Sequence, residues 1–328
     1  MTGECQGEFL WVNLLISART LALILLQQGQ KKTPMLIDTE KDMNVAQPIQ
    51  FEKFVDLDFD LAECPRWDWR NESWMWVNIC DGELWRQKAG VNEKLEFGEP
   101  IGCFAMHGEQ GFIIALKSGM YYLENWGAEK TSLAPLVSEF PRMRYNDGRV
   151  APGGRFVAGT RNGAKVGDQG QFHQLHLNGD IEALPMFAWT CNGLAFSPDG
   201  LWLYWADTGS SKVYKHSYNP ETGEYGEQQL HCDLTDYNGR PDGASVDAEG
   251  NYWVAMYAGQ SVVKISPQGQ VKQVVEVPSE NPTMVGFGGD DFSDLMVTSA
   301  EGSNEKGKLL IAKNVTQGLK EVLAAVVI

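Results

Sequence analysis

Residues 192–208 read NGLAFSPDGLWLYWADT. The polar turn SPDG leads into LWLYWADT (201–208), a run of aromatic and aliphatic residues with strong β character. The same strand type recurs as WMWVNI (74–79), FIIALK (112–117), RFVAGT (155–160), NYWVAMY (251–257) and DLMVTSA (294–300). With Val77, Ile114, Val157, Trp205, Val254 and Val297 taken as equivalent, the spacings are 37, 43, 48, 49 and 43 residues. Each run follows a polar turn (WRNE, HGEQ, APGG, SPDG, DAEG, GDDFSD) and precedes another strand-like stretch: GELWRQK, GMYYLEN, QFHQLHL, KVYKHSY, SVVKISP and GKLLIAK. Short β-runs with turn chemistry at this period are the mark of propeller blades. No amphipathic helical stretch of useful length separates them, which excludes a βαβ fold. The expectation is an all-β, six-bladed β-propeller over residues 48–328. Gln50–Leu57 precedes the first unit and is placed to complete the last blade, removing a sheet edge.

Residues 1–47 precede the repeats. Phe9–Leu26 (FLWVNLLISARTLALILL) is apolar, but Glu4 and Glu8 stand where a signal peptide carries Lys or Arg. Arg19 sits in the middle of the run, and no small-residue cleavage site follows. The stretch is short for a spanning helix and would bury a charge. Residues 1–47 therefore read as an appended or poorly ordered extension. A targeting role or a helix packed on the main domain are the alternatives.

Over its 328 residues the chain has a net charge of -16. Such a surface repels phosphate backbones, so nucleic acid is not an expected partner. Six cysteines without any CxxC pair exclude a zinc ribbon or redox motif, and their scatter does not form a secreted disulfide framework. Reduced thiols and a cytoplasmic location are expected, with no membrane association and a monomer or weak dimer. Ser197 and Ser245 lack a G-x-S-x-G elbow, and the five histidines share no channel position.

In a propeller the innermost strand of each blade lines the central channel, so equivalent positions converge on one axis. Between 11 and 14 residues before the anchors stand Glu63 in blade one, Asn146 in blade three, Asn192 in blade four and Asp242 in blade five. Blades two and six offer only Ile101-Gly102-Cys103 and Pro282-Thr283-Met284 there. Singly, the Asn-Gly and Asp-Gly pairs would be turns. Their shared phase sets them apart, because turns need not keep register with a channel position. Carboxylate and amide oxygens suit Ca²⁺, Mg²⁺ or Mn²⁺, and Zn²⁺ accepts them as well.

From about Phe51 to its end, the chain resembles the senescence-marker-protein/gluconolactonase/luciferin-regenerating family of six-bladed propellers. The resemblance rests on AECPRWDWRNESWMWVNI (62–79), RYNDGRVAPGGRFVAGT (144–160), residues 192–208 and RPDGASVDAEGNYWVAMY (240–257), in family order and spacing. It implies hydrolysis of a small sugar lactone. It further implies that Glu63, Asn192 and Asp242 bind one divalent cation, that Arg144 and Asn146 hold the substrate, and that Asp242 doubles as catalytic base. A metal-dependent esterase or phosphotriesterase-like propeller, a non-catalytic binding module and a metal-free condensing enzyme are the competing readings.

One stretch departs from the family pattern. Where relatives with aldonolactonase activity often carry an acid that contacts sugar hydroxyls, this chain has GTRNGAKVGDQGQ (159–171), with Arg161, Asn162 and Lys165. Substrate preference is therefore set apart here, towards an acidic or differently hydroxylated lactone. Asp207 in YWADT is expected to cap a turn. Trp67, Trp69, Trp74 and Trp76 are expected to be blade core, and Cys64 and Cys103 to be packing beside the channel.

Overall fold

The computed structural model describes residues 48–136, 142–163 and 170–328. Residues 1–47, and with them the reading of an appended extension, lie outside the described residues, as does Lys165. Among the described residues every regular element is a strand, and six four-stranded antiparallel sheets form the six blades. Blade one comprises Ala62–Asp68, Ser73–Asn78, Glu83–Lys88 and Val91–Glu96, and blade two Ile101–His107, Gly111–Leu116, Gly119–Leu123 and Thr131–Pro135. Blade three is Met143–Val150, Phe156–Asn162, Gly170–Leu175 and Ile181–Ala188. Blade four is Cys191–Phe196, Trp202–Asp207, Lys212–Ser217 and Gln229–Asp233, and blade five Arg240–Val246, Tyr252–Tyr257, Ser261–Ile265 and Val271–Glu276. The sixth blade takes Asn281–Gly288, Asp294–Ala300 and Leu309–Ala312 from the end of the chain and Glu52–Lys53 from its beginning. Glu52 pairs with Ile311 and Lys53 with Leu310, so the stretch expected to close the ring does so.

The turn chemistry explains the hairpins. In SPDG, Asp199 Oδ1 accepts from Leu201 N at 3.0 Å, and Gly200 takes φ +74°. In DAEG, Asp247 Oδ1 accepts from Asn251 N at 2.8 Å while its Oδ2 receives Trp253 Nε1 at 2.9 Å. One aspartate thus fixes both the turn and the tryptophan of the next strand. The second strands are buried along nearly their whole length, and their side chains fill the spaces between blades. Burying Phe112 or Ile113 there stabilises by roughly 1.5–3 kcal/mol each relative to exposure. Trp74 and Trp76 lie in this interior, with Trp76 stacked on Trp85 at 6.0 Å, as expected of blade core. Cys64, Cys103, Cys191 and Cys232 are buried free thiols, and burial pushes Cys64 up to about 11.

After its last strand the chain runs back across the blades. Gly318 N donates to Phe292 O, Ala324 N to Met106 O, Ala325 N to Gly154 O and Val327 N to Leu177 O, all at 2.7–2.9 Å. This carries Glu321 into the channel, where its Oε1 lies 2.6 Å from Arg149 Nη1 and 3.6 Å from Arg66 Nε.

Candidate functional site

The first strands of neighbouring blades pack on one another around the axis. Each carries a register shift against its partner: Glu63/Arg66, Ile101/Cys103, Tyr145/Gly148, Asn192/Ala195, Pro241/Ala244 and Pro282/Met284. A bulge bends the strand and re-aims the side chains around it. Here it falls at or beside the positions singled out by repeat phase. At the blade-four bulge Gly193 takes φ +64°, and a Cβ there would stand 2.1 Å from Tyr252 Oη. Its counterpart in blade one is Cys64, a non-glycine residue held at φ +54° beside Glu63. That is a strained conformation, kept by the packing around it.

The structure brings all five residues together. Arg144 Nη1 donates to Asn146 Oδ1 at 2.8 Å, and Asn146 Nδ2 to Asn192 Oδ1 at 2.5 Å. Asn192 Nδ2 then donates to Asp242 Oδ1 and to Thr208 Oγ1. The chain of hydrogen bonds crosses blades three, four and five and ends on a carboxylate. Glu63 enters from blade one, its Oε2 accepting from Cys64 N at 3.0 Å. All five side chains are buried.

Two buried acids in one channel oppose each other's ionisation. Burial first, then Asp242 and Asp147, drives the Glu63 pKa well above the ordinary carboxylate range. Burial, helped by Asp147, raises Asp242 to about 8 even though Arg161 and Arg144 pull it down. Among the described residues, no three His, Cys, Asp or Glu side chains cluster as a metal site. The donor set at the axis is instead two carboxylates and two amides.

Asp207 does not join them. Its Oδ1 accepts from Trp189 N at 3.1 Å and from Gly209 N at 3.0 Å, which makes it the turn cap expected from its place at a strand end. Three of the five histidines are bound elsewhere: His107 Nε2 meets Val326 O, His216 Nδ1 meets Gly226 O and His176 Nε2 pairs with Glu182.

Sequence reasoning missed a second layer. Arg66 and Arg149 stand three residues after Glu63 and Asn146, up to about 10 Å further along the channel at strand rise. Arg66 Nη2 donates to Gly148 O, Arg149 Nε to Leu194 O and Arg149 Nη2 to Ala244 O. Asp147 Oδ2 accepts from Leu194 N at 2.8 Å. A basic residue at the same offset in two blades was the available signal; Glu321, outside the repeats, carried none. Thr208, which orients Asn192 and donates to Pro241 O at 2.9 Å, was also missed.

Comparison with known proteins places these features in context. Residues 61–301 match the family described as SMP-30/Gluconolactonase/LRE-like region. The chain is 38% identical over 243 residues to 6-deoxy-6-sulfogluconolactonase of Pseudomonas putida, covering 73% of this chain and 83% of that one. It is 32% identical over 270 residues to regucalcin of Xenopus laevis, covering 79% and 90%. The solved structure of regucalcin from Agrobacterium tumefaciens, described as a calcium-binding protein, superposes with a TM-score of 0.79 at 26% identity, covering 84% of this chain and 97% of that one.

Proposed function

Because the chain belongs to the SMP-30/gluconolactonase/LRE-like family, we propose that it hydrolyses a small sugar lactone at the channel site, with Asp242 as general base. One observation carries the reading: Asn146, Asn192 and Asp242 leave three different blades and meet in one buried, hydrogen-bonded cluster, with Glu63 from a fourth blade close enough to feel the charge of Asp242. The lactonase names among its relatives support the substrate class.

The donor set fits a divalent cation. Glu63, Asn192 and Asp242 offer oxygen ligands, and their two buried carboxylates, whose ionisation burial opposes, are groups that a cation would hold in the ionised form. Ca²⁺, Mg²⁺, Mn²⁺ and Zn²⁺ all accept such ligands. When bound, the ion supplies Lewis-acid polarisation of the ester carbonyl.

The chain's own groups do the rest. Asn192 engages Oδ1 of Asp242 and orients the carboxylate, leaving Oδ2 to take a proton from the attacking water. The water oxygen bonds to the carbonyl carbon, the ring C–O bond breaks, and the proton passes to the departing ring oxygen to give the open hydroxy acid. Arg144, fixed through Asn146, presents guanidinium N–H groups to substrate oxygens or to the product carboxylate. Burial keeps this polar cluster out of bulk water, which strengthens each of these contacts.

A panel of aldonolactones, aryl esters and phosphotriesters, assayed on protein purified without chelator and again after EDTA, tests the reading. Lactone opening that is lost with the metal and restored by a divalent salt is the expected result. Turnover of aryl esters or phosphotriesters alone would assign the site to other ester chemistry.

A further inference from the structure

Arg144 and Arg161 are directly opposite one another in the antiparallel pair Met143–Val150 and Phe156–Asn162. Residues in such a pair project from the same face of the sheet, and like charges placed there repel. At the equivalent place in blade five, two residues before Asp242, Arg240 faces Tyr257, so the opposition of two arginines is not repeated there. Arg144 is buried and tied to Asn146. Arg161 is only partly buried, at the end of its strand where the site opens. Among the described residues no acid lies within ion-pairing distance of the Arg161 guanidinium. Burial raises the pKa of both Asp242 and Tyr257, and the field of Arg161 opposes that rise.

Its surroundings suit a small molecule. The backbone of Arg161 bridges Thr190, which places it next to Trp189, a tryptophan left 51% exposed at the same rim. Two arginines that face each other on one side of a sheet repel. An anion reaching between them would turn that repulsion into two sets of charge-assisted hydrogen bonds.

We infer that the substrate is a sugar lactone bearing an anionic substituent remote from its ester carbonyl, and that Arg161, acting with Arg144, is the residue that selects it. The inference rests on the lactonase reading given above. A sulfonate, a phosphate ester or a second carboxylate shares the required chemistry, and each can accept a guanidinium fork. The remote anion would sit towards the rim, with the ester carbonyl at Asp242 and the ring passing Trp189.

The test compares glucono-1,5-lactone with its 6-phosphate and 6-sulfonate analogues and with the corresponding glucaric acid monolactone, on the wild type, Arg161→Met and Arg161→Lys. The expected result is a higher kcat/KM for at least one anionic lactone, and its rank order identifies the group. Arg161→Met should lower kcat/KM for that substrate about 10–100-fold more than for the neutral lactone, chiefly through KM. Arg161→Lys should recover part of the loss. Equal loss on neutral and anionic lactones, or a wild-type preference for the neutral one, would overturn the inference. If no lactone is opened, the lactonase reading fails separately, and calorimetric titration with 6-phosphogluconate and gluconate then decides. Tighter 6-phosphogluconate binding that is abolished in Arg161→Met would uphold the anion site, and equal binding would reject it.

Discussion

Arg149 and Glu321 meet inside the channel, Nη1 to Oε1 at 2.6 Å, although 172 residues separate them in sequence. The pair ties the C-terminal segment to the innermost strand of blade three. Arg66, from blade one, lies on the same carboxylate oxygen at 3.6 Å. Glu321→Ala would leave two buried guanidiniums without their shared acid. We expect a loss of about 3–5 kcal/mol, read from urea unfolding as a lower midpoint. An unchanged midpoint would mean that the guanidinium bonds to the Gly148, Leu194 and Ala244 carbonyls suffice.

The same carboxylate sets an acid limit. Burial alone would raise its pKa, but Arg149 and Arg66 outweigh burial and hold it below its ordinary 4.5. An acid with a depressed folded pKa stabilises fully above its unfolded value and less as pH falls through the folded one. Wild-type unfolding midpoints should therefore decline below about pH 4.5, and Glu321→Ala should flatten that decline. Parallel pH profiles for the two proteins would refute the assignment.

Asp242 and Glu63 act in the opposite sense. Asp242, near 8 in the folded chain without a cation, keeps its proton across a range in which the unfolded chain has lost it. Stability of chelator-treated protein should fall as pH rises from about 4 to 8, because there the unfolded state binds fewer protons than the folded one. A divalent salt should raise the melting temperature more at pH 8 than at pH 5.5. Thermal melts at both pH values, with EDTA and with salt, measure this; an equal salt effect at the two would contradict it.

Asp242→Asn keeps the shape and one oxygen but removes the proton acceptor. Lactone turnover should drop by roughly 10²–10⁴ even where excess metal restores occupancy. Wild-type rates at full occupancy would move the base elsewhere, and Asp207, engaged by two backbone N–H groups, is poorly placed to replace it.

Arg144→Ala should act mainly on KM, since its substrate contacts form before the chemical step. Some loss of kcat is expected too, because the guanidinium also holds Asn146 and, through it, Asn192. Steady-state kinetics with kcat falling more than KM rises would make Arg144 a positioning residue first.

A chain beginning at Asn44 should remain folded and active. The closing strand Glu52–Lys53 and every channel residue lie beyond that point. Aggregation or inactivity of the truncated chain would assign residues 1–43 a part in the fold.

The fold was legible because its causes are local. SPDG and DAEG carry their turns within four residues, and the strand pattern follows from alternation against a buried sheet face. Repetition of that local code six times leaves few architectures open, and the phase of Glu63, Asn146, Asn192 and Asp242 within it predicted their meeting. Turn chemistry likewise identified Asp207 as a cap. What the sequence could not supply was anything set by register or by distant contact. The bulges that aim the channel residues have no common residue signature, with glycine at one and a strained Cys64 at another. The opposition of Arg144 and Arg161 depends on the pairing of two strands, where a one-residue slip would put them on opposite faces. Glu321 lies outside every repeat, and its partners lie in blades one and three. Its place in the channel was decided by the need of two buried guanidiniums for an anion, a need that arises only once the blades have closed around them.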